Sequence, residues 1–140
     1  MTERQMILVK NSWKLFRKID PKFIGEVFYG RLFQQLPSLR AMFKGDMSAQ
    51  YGKLVDMLSL VISRLDKPET VTEEIKQLAI RHVEYGVRPG HYKLVGDALL
   101  WTMQKGLGTD WTDETAEAWI TCYAMLSDTM IKAAAGIGKG

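Results

Sequence analysis

Ile-Lys-Gln-Leu-Ala-Ile-Arg-His-Val-Glu-Tyr-Gly-Val-Arg-Pro, residues 75–89, holds one apolar stripe and its own stop signal. Ile75, Leu78, Ala79 and His82 recur at the spacing that shares one helical face. Tyr85-Gly86-Val87-Arg88-Pro89 then ends the helix. His82 is therefore expected to point into the core. The chain has two histidines, and histidine is the commonest metal-binding side chain. A buried cofactor that needs one neutral nitrogen would find it here. On position alone, His82 reads first as a core histidine satisfied by a backbone carbonyl.

The 140 residues are the length of one domain, which buries roughly two thirds of its unfolded surface. A hydrophobic fraction of 46%, a charged fraction of 25% and a net charge of +3 are ordinary for a soluble protein. Such a charge is too small to suggest a nucleic-acid partner. The lone Cys122 excludes an internal disulfide and suits a reducing compartment. The first residues lack a signal-peptide plan, and the apolar stretch near 54–65 is interrupted by Asp56, Ser59 and Arg64. These features point to a cytoplasmic protein without a membrane partner.

All four prolines, at 21, 37, 68 and 89, fall where helical periodicity changes phase. Thr2 and Gln5 have capping-box spacing ahead of Met6, Val9, Trp13 and Phe16, which predicts a helix to about residue 18. Asp20-Pro21 opens a second helix with Gly25, Tyr29, Leu32, Phe33 and Leu36 on one face. A short turn from Pro37 ends near Phe43, and 44–47 reads as a loop. Ser48 leads into Gln50, Leu54, Met57, Leu58 and Val61. Thr72 starts the helix that carries His82, and Pro89 starts one with Tyr92, Val95, Leu99, Met103 and Leu107 inward. Thr112 opens the last, whose inward face reads Ala116, Trp119, Ile120, Tyr123, Leu126, Met130 and Ile131. The glycine-rich tail, about 135–140, should fray. No stretch alternates with period two, so the chain is all-α, one domain of six or seven helices. Zinc spacings, a Walker loop and a local nucleophile pair are all missing.

Two stretches then resemble a known family. Phe28-Tyr29-Gly30-Arg31-Leu32-Phe33 with Pro37 and Phe43 is one. Arg81 through Val87 with Pro89, His91-Tyr92 and Leu94 through Leu100 is the other. Over about residues 3–133 the chain resembles the single-domain bacterial globins and the globin part of flavohaemoglobins. The resemblance implies a globin fold around a haem b pocket, with His82 as the iron ligand and Phe43 against the porphyrin. It places Tyr29 and Gln50 on the opposite face as hydrogen-bond donors to a bound gas. Tyr29 is also readable as a core tyrosine under Gly25 and Leu32, and Gln50 as a solvated first-turn residue. Leu54, Val87 and Tyr92 are expected to contact the cofactor, and Lys53 and Arg81 to meet its propionates, unless they are ordinary solvated charges.

The implied function is tight, reversible oxygen binding, with nitric oxide and carbon monoxide as further ligands. Nitric oxide dioxygenation would need an external reductase, because the 140 residues contain no flavin or nicotinamide domain. The family's late glutamate, which polarises the proximal imidazole, would fall near Ala134 here. Its loss favours binding over oxygen activation. The competing readings are a gas sensor acting through a partner and a haem-free helical interaction module.

Overall fold

A computed structural model describes residues 1–43 and 47–137. Among them are six α-helices: α1 Glu3–Phe16, α2 Pro21–Gln35, α3 Ser48–Ser63, α4 Thr72–Glu84, α5 Pro89–Leu107 and α6 Asp113–Ile137. Three short 3₁₀ turns, Pro37–Met42, Pro68–Val71 and Gly108–Asp110, join them, and no strand occurs in the described residues. The all-α expectation holds, with starts where the caps and prolines put them. Gln5 N–H donates to Thr2 Oγ1 at 3.1 Å while Thr2 N–H donates to Gln5 Oε1 at 2.9 Å, a reciprocal cap on α1. Asp20 accepts from Lys22 N–H at 3.0 Å ahead of Pro21, and Thr112 Oγ1 accepts from Thr115 N–H at 3.1 Å.

Two tryptophans tie the bundle together. Trp119 Nε1 on α6 donates to Ser12 Oγ on α1 at 2.7 Å, and Trp13 Nε1 donates to Ser59 Oγ on α3 at 3.0 Å. A buried indole N–H needs such a partner to avoid an uncompensated desolvation cost. Around them Val9, Phe16, Ile24, Phe28, Leu99 and Met103 form the larger apolar cluster. A second cluster of Val61, Val71, Ile75, Ala79, Tyr92 and Met130 lies where α4 packs on α6.

One expectation needs correction. Ile120, read as inward, is 56% exposed; the inward arc of α6 is centred on Ala118, Trp119 and Cys122, which leaves Ile120 beside a surface groove with Trp101 and Trp111. In the tail, α6 takes in 135–137 of the stretch expected to fray. Residues 138–140, and 44–46 of the expected loop, lie outside the described residues.

The helix stop after His82 is a closed hydrogen-bond motif. Val87 N–H donates to the His82 carbonyl at 2.9 Å and Gly86 N–H to the Val83 carbonyl at 3.0 Å, the Schellman pairing. It requires Gly86 at φ +90°, a conformation that a side chain opposes. Gly86→Ala is predicted to lower stability by about 1–2 kcal/mol in urea unfolding. An unchanged midpoint would show that this cap contributes nothing.

Candidate functional site

His82 Nδ1 lies 2.8 Å from the Leu78 carbonyl oxygen one turn back on α4. A carbonyl can only accept, so Nδ1 carries the proton and donates, and in the neutral ring Nε2 keeps an open lone pair. The two readings of His82 are thus compatible, since each uses a different nitrogen. Burial pushes the imidazole below its ordinary value, with Arg81 adding to the effect and the Leu78 bond opposing it. No carboxylate contributes to that balance. Position 134, where the polarising acid was sought, holds Ala134 on α6.

Tyr92, 7% exposed on α5, stacks beside this ring with centroids 6.3 Å apart and planes 17° apart. Its backbone carbonyl accepts from the Tyr123 hydroxyl of α6 at 2.6 Å. That approach depends on Gly96, where a Cβ would overlap the Tyr123 ring. Val87 and Leu78 pack, half-buried, on the same cluster as Tyr92.

The other expected residues gather in a different place. Tyr29, 8% exposed on α2, touches Phe43 edge-on at 5.3 Å and Phe33 at 5.9 Å, and Phe43 and Leu54 pack half-buried on this larger cluster. Burial, with the Tyr51 phenol adding, pushes the Tyr29 hydroxyl up to about 12, so it remains an O–H donor at physiological pH. Gln50 is half-buried in the first turn of α3. Lys53 on α3 and Arg81 on α4 are both exposed and form no ion pair among the described residues. Tyr51 and Gly96 belong to this geometry but were missed by sequence reasoning, because close approaches between helices leave no periodic signal.

Among the described residues α4 packs on α6 and on the turn before it, with no comparable contact to α3 or α5. His82 Nε2, the Tyr29 hydroxyl and the Gln50 amide have no hydrogen-bond partner in the described residues. Among the described residues the one buried side-chain polar atom without a partner is Arg31 Nε, so none of those three polar atoms is fully buried. No three of His, Cys, Asp and Glu meet as a ligand set in the described residues. One imidazole with a free nitrogen, next to an apolar cluster that includes Leu78, Val87 and Tyr92, suits a metal that brings its other ligands with it, as a porphyrin iron does.

Comparison with known proteins agrees. The flavohaemoprotein of Rhizobium meliloti is 32% identical over 106 residues, covering 74% of this chain and 26% of its own length. The chain thus spans about a quarter of that relative. Neuroglobin of Danio rerio is 29% identical, with 99% of this chain and 96% of its own covered. Among solved structures, an engineered carbene transferase that is a candidate nitric oxide dioxygenase from Rhodothermus marinus superposes with a TM-score of 0.89 at 25% identity, covering 99% of this chain and 96% of its own. The globin family model matches residues 26–130, and the chain belongs to this family of haem proteins that bind gaseous ligands.

Proposed function

We propose that this globin holds one haem b between α3 and α4 and binds oxygen there tightly and reversibly. The observation that carries the reading is His82, its Nδ1–H committed to Leu78 at 2.8 Å and its Nε2 lone pair left for iron. Haem, when bound, supplies an iron with one position open to oxygen, nitric oxide or carbon monoxide. His82 anchors the group from α4, and Tyr92 holds the imidazole plane by stacking. Phe43, Leu54 and Val87 supply apolar walls that exclude water. Lys53 and Arg81, exposed on the two flanking helices, meet the propionates.

Retention of the gas falls to Tyr29 and Gln50. The Tyr29 phenol keeps its proton and would offer its O–H as a hydrogen-bond donor to a bound gas, and the Gln50 amide would offer a second N–H. Hydrogen bonds to charged groups contribute about 1.5–3 kcal/mol each, so together they slow oxygen release by roughly 10²- to 10⁴-fold if additive. With Arg81 rather than a carboxylate acting on His82, the imidazole gives a weak electron push, which favours binding over activation. Nitric oxide dioxygenation, with electrons from a separate reductase, is a second activity supported by the likeness to a candidate nitric oxide dioxygenase. A cytoplasmic location completes the reading; no helix among the described residues is long and apolar enough to cross a membrane.

Stopped-flow oxygen dissociation tests the donor. Tyr29→Phe should release oxygen roughly ten- to a hundredfold faster, and an unchanged rate removes Tyr29 from the mechanism. A pH effect follows as well. The unfolded chain releases the Tyr29 proton near 10.0 while the folded chain keeps it to about 12. The stability linked to this proton is therefore present below pH 10 and lost as pH rises toward 12. Urea unfolding at about pH 9 and about pH 11 should show a smaller alkaline loss in Tyr29→Phe than in the wild type. Equal losses contradict the buried phenol.

A further inference from the structure

Tyr51 follows Gln50 in the first turn of α3, and its ring stacks on Tyr29 with centroids 5.7 Å apart and planes 29° apart. The stack exists because residue 25 on α2 is glycine: a Cβ there would overlap Cβ, Cγ and Cδ1 of Tyr51. The missing side chain lets the aromatic ring of one helix lie against the backbone of the other. Phe28 and Phe43 meet Tyr29 edge-on, at 4.9 and 5.3 Å, and Phe33 lies tilted at 5.9 Å. The Tyr29 hydroxyl has no hydrogen-bond partner among the described residues, so ring contacts alone decide where it points. Phe33 and Tyr51 both lie nearer to parallel with the ring than edge-on, and of the two Tyr51 comes from the neighbouring helix.

We infer that Tyr51, seated against Gly25, is a positioning residue that fixes the direction of the Tyr29 hydroxyl and so sets how long a gas ligand is retained. This rests on the reading of Tyr29 as the donor. The ring of Tyr51 acts, and its hydroxyl does not. Phenylalanine at 51 keeps the stack, whereas leucine leaves Tyr29 free to tip away from the ligand. Alanine at 25 displaces the same ring from the opposite side.

Oxygen dissociation from the haem-loaded protein is measured for Tyr51→Phe, Tyr51→Leu, Gly25→Ala, Tyr29→Phe and the Tyr51→Leu/Tyr29→Phe double variant. Tyr51→Leu and Gly25→Ala should each release oxygen about tenfold faster, Tyr51→Phe should stay within about twofold, and Tyr51→Leu should add nothing once Tyr29 is phenylalanine. The carbon monoxide complex gives a readout independent of turnover. Its infrared C–O stretch should be a single band in the wild type and Tyr51→Phe, and broadened or split in Tyr51→Leu. Equal acceleration by Tyr51→Phe and Tyr51→Leu, a single unbroadened C–O band in Tyr51→Leu, or a full Tyr51→Leu effect without the Tyr29 hydroxyl overturns the positioning role alone. No acceleration in Tyr29→Phe overturns the donor reading, and the positioning role with it.

Discussion

One hydrogen bond organises the site: the proton on His82 Nδ1, given to the Leu78 carbonyl at 2.8 Å. It selects the tautomer, sets the ring's plane along α4 and leaves a single nitrogen for chemistry. A carbonyl oxygen has two lone pairs, so it can accept this bond without giving up the helical ladder. Burial reinforces the choice by disfavouring the charged imidazole. The neutral form that a metal needs is the form the fold prefers.

The rest of the fold supplies two differently built walls. On the His82 side, Tyr92 is braced through its carbonyl by Tyr123, which reaches it across Gly96. On the Tyr29 side, an aromatic group takes its shape from the crossing of α2 and α3 at Gly25. Each wall thus depends on one glycine that lets a tyrosine from a neighbouring helix come close. α3 joins them, since Leu54 packs on one cluster while Met57 and Leu60 pack on the other.

What could be read from the sequence was whatever short-range chemistry dictates. The Thr2–Gln5 cap, the proline starts and the Gly86 stop are local hydrogen-bond and dihedral requirements, and each appears in the structure. The stripe of Ile75, Leu78, Ala79 and His82 followed from period alone. Periodicity identifies a face, however, and not its width or what lies opposite. Ile120 was therefore misjudged, because one 100° step from Trp119 carries it out of the buried arc. Tyr51 escaped notice for a related reason: its place depends on Gly25, 26 residues earlier in the chain. Gln50, Phe43 and Tyr29 were assigned to the site by family resemblance, and two of them, Tyr29 and Phe43, lie in direct ring contact.

The central claim is that His82 Nε2 is the protein's bond to haem iron. Resonance Raman spectroscopy of the ferrous, ligand-free protein loaded with haem tests it most directly, through the iron–histidine stretching band. The account predicts that band in the wild type, its loss in His82→Ala, and its return when free imidazole is added to that variant. A band that survives in His82→Ala without imidazole, or a wild-type protein that takes up no haem, would contradict it.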